Sequence, residues 1–128
     1  MRYRRVDLVK RDKNGSCPYF IFEGMERDYC YVGDVVKANL KAIKRDSTGI
    51  FNIGTGIATK TLDLYNTIYK IIDNQNSELK IPDKASARAG DLRRRCLNIE
   101  KAKKSLGWTP SGSLKEGLKK TVEWYLAR

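Results

Sequence analysis

Short apolar blocks alternate with amphipathic stretches along the 128 residues. Residues 19–22, Tyr-Phe-Ile-Phe, are aromatic and β-branched and read as a buried strand that Gly24 closes. A second extended piece over 29–32 leads into Gly33 and Asp34, and the Asp34 carboxylate is suited to cap a helix. That helix carries Val36, Leu40 and Ile43 on one face, with Lys37, Lys41 and Lys44 off the stripe. Ile-Phe-Asn-Ile at 50–53 reads as a strand, and Gly54-Thr55-Gly56 follows it. Thr61 is placed to cap a second helix with the stripe Leu62, Tyr65, Tyr69 and Ile72, Ile68 lying beside it. A third strand is expected at 79–81, stopped by Pro82, and 83–95 reads as a polar loop. Asn98 caps a short helix that ends at Leu106-Gly107, where glycine suits a left-handed turn. The last helix is the best specified. Ser113 and Glu116 form an S-x-x-E capping box, ahead of a face made by Leu114, Leu118, Val122 and Tyr125. Strands alternating with about four helices predict a small mixed α/β domain.

Composition removes several alternatives. Hydrophobic residues are 41% and charged residues 32%, which fits a folded domain and neither a disordered tail nor a membrane protein. No apolar run approaches the roughly 20 residues that span a bilayer, and no leader-like segment opens the chain, so a cytoplasmic setting is expected. Histidine is absent, so these residues cannot form a Ser-His-Asp or Cys-His arrangement or a histidine-containing zinc site. The three cysteines, Cys17, Cys30 and Cys96, form no CxxC pair and read as reduced, buried thiols. No metal site is expected.

Charge and glycine raise two further readings. Lys and Arg number 26 against 15 Asp and Glu, a net charge of +11, which suggests nucleic acid as a partner. The densest cluster is Arg93-Arg94-Arg95, with Arg88 nearby. No aromatic platform alternates with these arginines and no helix presents an arginine-lined face, so nucleic acid is disfavoured. Selected arginines could instead grip a diphosphate through paired hydrogen bonds. Gly54-Thr55-Gly56 follows a predicted strand, as phosphate loops do. It lacks the third glycine of GxGxxG and reads as a tight turn with positive φ.

Five motifs in order then carry a resemblance. RDYCYVGDVVKANL at 27–40 resembles the RD(F/Y)xYVxDVxxAxL stretch of NAD-dependent epimerase/dehydratases, extended short-chain dehydrogenase/reductases acting on nucleotide sugars. FNIGTG at 51–56 is similar to that family's FNxGxG turn, and Arg88-Ala89-Gly90-Asp91 followed by Arg93 to its R-x-G-D-x-R loop. Residues 101–110 resemble KA…LGWxP, and 114–125 resemble the closing L-x-E-G-L-x-x-T-x-x-W-Y helix. The look is nearest the UDP-glucose 4-epimerases, with the 4,6-dehydratases and decarboxylases close behind.

The resemblance implies the C-terminal, substrate-binding part of such an enzyme, over 17–128, with 1–16 an unmatched basic segment. It implies that Arg27 and Arg88 contact a nucleotide diphosphate and that Asp91 helps hold the substrate, a UDP-sugar such as UDP-glucose or UDP-galactose. The family's TGxxGxxG loop for NAD and its catalytic Tyr-x-x-x-Lys pair occur nowhere in these 128 residues. No catalytic or cofactor-binding residue is therefore expected, and the chain alone is expected to be inactive. Without a Rossmann half, an exposed strand edge or apolar face is expected, and with it self-association or a separate Rossmann-domain chain as partner. The alternatives are a basic nucleic-acid-binding module and a ligand-free structural or interaction relic.

Overall fold

The computed structural model describes residues 21–22, 24–72, 84–85 and 90–127. Two-residue strands and longer helices alternate in a small mixed α/β arrangement. The elements are β1 (Ile21–Phe22), β2 (Glu26–Arg27), α1 (Val32–Lys44), β3 (Thr59–Lys60), α2 (Thr61–Ile72), β4 (Lys84–Ala85), a π-helix (Ala102–Leu106) and α3 (Leu114–Leu126). β1 pairs with β4 in parallel, Ile21 opposite Lys84, and β2 pairs with β3 antiparallel, Glu26 opposite Lys60. Residue 94 bridges Glu26 in parallel from the other side, so β2 lies between β3 and the chain around 93–95.

The local signals near the C-terminal end hold. Ser113 Oγ accepts from the Glu116 amide at 3.3 Å and Glu116 Oε2 accepts from the Ser113 amide at 2.7 Å, the reciprocal capping box. Asn98 Oδ1 accepts from the Glu100 amide at 3.0 Å, and Gly107 sits at φ 59 beyond the π-helix. Ser113→Ala removes one half of the box, and thermal melts should show a loss of about 1 kcal/mol with the helix content of the native state unchanged.

Other expectations are corrected. α1 begins at Val32, two residues before Asp34, and its N-cap is Tyr31, which offers no side-chain cap. Residues 29–32 are accordingly not a strand. The Asp34 carboxylate is drawn away from the helix end: it accepts from the Ser111 hydroxyl and lies 3.5 Å from Lys37 Nζ. Thr61 is the first residue of α2, and its hydroxyl donates to the Met25 carbonyl at 3.3 Å, tying α2 to the chain before β2. β4 forms at 84–85, inside the stretch expected to be all loop, because β1 offers it a parallel partner. Residues 79–81 and 19–20, expected as strand, lie outside the described residues, as does Cys17. Cys96 is exposed, whereas Cys30 is half-buried beside the core. Burial, then the Asp34 and Asp28 carboxylates, push the Cys30 thiol up and keep it protonated.

The core is small and lies between α1 and the π-helix. Ala38, Ala102, Leu106 and Trp108 are buried, and Cys30, Ala42, Phe51 and Ile53 pack against them. The small residues Ala38 and Ala102 let the two helices approach, and the Trp108 indole N–H donates to the Asp34 carbonyl at 2.9 Å. This inverts the expected face of α1. Its buried positions are Asp34 and Ala38, while Val32, Val36, Leu40 and Ile43 are 66, 51, 52 and 76% exposed. The apolar face expected to lack a partner is thus present. No helix among the described residues is long and apolar enough to cross a membrane.

Candidate functional site

The candidate site forms where β2, the Gly54-Thr55-Gly56 turn and the loop 90–97 meet. Its organising group is Asp28, the acid that follows Arg27 in the 27–40 motif. Asp28 Oδ1 accepts from the Thr55 amide at 2.7 Å and the Thr55 hydroxyl at 2.5 Å. Asp28 Oδ2 accepts from the Gly56 amide at 2.9 Å and the Leu97 amide at 3.3 Å. One carboxylate therefore joins three separate segments. Burial pushes its pKa up, but the four hydrogen bonds together outweigh burial and hold it below the usual carboxylate value.

The glycine turn is shaped around that carboxylate. A Cβ on Gly54 would stand 2.7 Å from Asp28 Oδ2, and Gly56 adopts φ +73, a conformation that favours glycine. The amides that make such turns attractive to phosphate already hold an internal anion. The Thr55 and Gly56 amides are thus taken by Asp28, and the sequence contains neither a TGxxGxxG loop nor a Tyr-x-x-x-Lys pair.

Arg27 reaches across to the 90–97 loop. Its Nη1 donates to the carbonyls of Glu26 at 2.8 Å, Leu92 at 2.9 Å and Arg93 at 3.5 Å, and Nη2 contacts Met25 Sδ at 3.7 Å. Two backbone bonds run alongside: the Glu26 amide donates to the Arg93 carbonyl at 2.7 Å and the Arg95 amide to the Glu26 carbonyl at 3.0 Å. Arg27 is thus next to the loop that carries Asp91, and it makes no ion pair with Asp28. Asp91 is exposed and pairs with neither Arg93 nor Arg94; Arg94 pairs instead with Glu26 at 3.3 Å. Arg88 lies outside the described residues. Arg27 and the Asp91 loop are brought together. Asp28 was findable in principle, as an acid ahead of a Gly-Thr-Gly turn, but its partners are remote in sequence.

A concavity elsewhere is lined by Tyr31, Asp34, Ser111, Glu116 and Lys120, among others, and shares no residue with this site. There, burial raises the Asp34 pKa, while Ser111 and Lys37 outweigh burial and lower it overall. Among the described residues no group of His, Cys, Asp and Glu could hold a metal ion.

With this geometry in place, comparison with known proteins decides the family. The sequence profile of the GDP-mannose 4,6-dehydratase family matches residues 8–121. The chain belongs to the NAD-dependent sugar epimerase/dehydratase family. It is 39% identical over 100 residues to the UDP-glucose 4-epimerase of Mycolicibacterium smegmatis, covering 77% of this chain and 31% of that one. The crystal structure of the Thermotoga maritima UDP-glucose 4-epimerase with UDP-glucose superposes with a TM-score of 0.70 at 41% identity, over 83% of this chain and 34% of that one. MoeE5, solved with UDP-glucuronic acid and NAD, gives a TM-score of 0.69 at 28% identity over 83% of this chain and 35% of that one. The chain spans about a third of the length of these relatives.

Proposed function

We propose that this family member is the nucleotide-sugar-binding part of an NAD-dependent sugar epimerase/dehydratase, with UDP-glucose or UDP-galactose as the ligand class. The observation that carries this reading is the meeting of Arg27 with the Asp91 loop. The Nη1 bonds to the 92–93 backbone hold the guanidinium plane in place. Its side-on edge, Nε and Nη2, meets no oxygen acceptor among the described residues. A guanidinium held in one plane matches the paired oxygens of a diphosphate. Arg88 supplies the second cation in this reading. Asp91, exposed and unpaired among the described residues, accepts from sugar or ribose hydroxyls.

In a complete enzyme of this kind, NAD takes up and returns a hydride at sugar C4. This chain's residues bind and orient the nucleotide sugar; they do not move the proton or hold the cofactor. The protein with added NAD is expected to give no turnover of UDP-glucose or UDP-galactose, and detectable turnover would contradict the reading. Calorimetric titration with UDP should saturate, and Arg88→Ala should weaken binding about tenfold, the size of one charge-assisted hydrogen bond. The absence of a saturable UDP signal would favour a ligand-free relic.

A further inference from the structure

We propose that Arg95 pairs with a carboxylate on the sugar, so that this chain prefers nucleotide sugars of the uronic-acid type over neutral ones. The inference rests on the nucleotide-sugar reading and narrows its substrate class. It starts from the two faces of a short ribbon. β2 lies between β3 and the chain at 93–95, with Glu26 opposite Lys60 on one side and Arg94 on the other. Residues paired across strands share a face, and neighbours along a strand alternate between faces. Glu26, Lys60 and Arg94 therefore occupy one face, where Arg94 Nε lies 3.3 Å from Glu26 Oε2. Arg27, Arg93 and Arg95 belong to the other.

The two faces differ in charge balance. Around Glu26, two cations share a carboxylate. On the Arg27 face three guanidinium groups stand together, and among the described residues no carboxylate pairs with any of them. Asp28 is committed to Thr55, Gly56 and Leu97, and Asp91 is exposed without an arginine partner. Like charges on adjacent strands repel one another. Arg93 and Arg95 are both exposed, so an anion arriving from solvent meets them directly and relieves that repulsion.

A count of charges singles out Arg95. The diphosphate of a nucleotide sugar carries a charge on each phosphate, and Arg27 and Arg88 answer these in the reading above. Arg93 belongs to the R-x-G-D-x-R loop, and Arg94 is paired with Glu26. Arg95 belongs to no motif and has no counter-ion among the described residues. The register that sets Arg94 against Glu26 brings residue 95 alongside residue 27, at the spacing of about 5 Å between neighbouring strands. An anion held by Arg95 thus sits next to the diphosphate held by Arg27, which is where the sugar is attached. A guanidinium grips a carboxylate through two parallel charge-assisted bonds, whereas a sugar hydroxymethyl offers it a neutral contact only.

The test compares UDP, UDP-glucose and UDP-glucuronic acid by calorimetric titration of the full 128-residue chain. The two sugars differ only in the carboxylate that replaces the hydroxymethyl group. UDP-glucuronic acid should bind about tenfold more tightly than UDP-glucose. Arg95→Gln should abolish that preference with UDP affinity unchanged, and Arg95→Lys should keep part of it. Arg94→Gln, on the opposite face, should leave the preference intact. Equal affinities for the two sugars, with UDP still bound, would overturn this inference and spare the nucleotide-sugar reading. A preference that survives Arg95→Gln also overturns it, as does a loss that UDP shares equally, because Arg95 would then act on the diphosphate. No saturable signal from any of the three ligands overturns both readings together.

Discussion

Trp108→Ala should lower the stability of the protein by about 3–5 kcal/mol, read as a fall in the urea midpoint. Trp108 is 1% exposed and fills the centre of a core whose other fully buried members are two alanines and one leucine. Truncation leaves a cavity that these short side chains cannot close. It also removes the indole donor from the Asp34 carbonyl, within the first turns of α1. Because natural domains retain only about 5–15 kcal/mol, a core this small would lose much of its margin. Trp108→Phe separates the two contributions: it keeps most of the volume and loses the hydrogen bond, about 1 kcal/mol. A cost below 1 kcal/mol for Trp108→Ala would show that the cluster is not the centre of the fold.

Asp28→Asn comes next, at about 2–3 kcal/mol. The amide keeps one acceptor oxygen but turns its NH2 toward amide or hydroxyl donors that the carboxylate now satisfies, from Thr55 or from Gly56 and Leu97. The sign with pH follows from the direction of the shift. The folded pKa of Asp28 lies below its ordinary value. Its stabilisation is therefore complete above an unfolded pKa of about 3.9 and is lost as pH falls through the folded pKa. Asp34 is shifted in the same direction and adds to the same acid limb. Denaturation midpoints measured from neutral pH downward should fall on that limb in the native protein and fall less steeply in Asp28→Asn. An unchanged acid limb in the variant would remove Asp28 from its assigned role. The same substitution should loosen the Arg27 loop, because the Leu97 amide is one anchor of the segment that Arg27 grips.

Much of the local structure was legible along the chain. The capping box at Ser113 and Glu116, the Asn98 cap and the left-handed Gly107 each involve groups within a few residues of one another, so residue type alone specifies them. Family membership was legible for a related reason: its motifs are short runs in a fixed order. The site was legible only in part. Arg27 and Asp91 were suggested by motif, and Asp28 was not, because its four donors come from Thr55, Gly56 and Leu97, 27 to 69 positions away.

Residue type and spacing specify which segments can be helix, where the best helix starts, and the apolar stripe of large side chains on α1. Which face of α1 lies inside is settled by packing between elements. Periodicity marks apolar faces without saying what covers them. Close approach of α1 to the π-helix requires small residues, so Ala38 goes inward and Val36, Leu40 and Ile43 are left outside. The same reason governs 50–53, whose alternation the sequence carries and whose ladder it cannot. A strand is completed by backbone groups of another segment, and among the described residues none is in place.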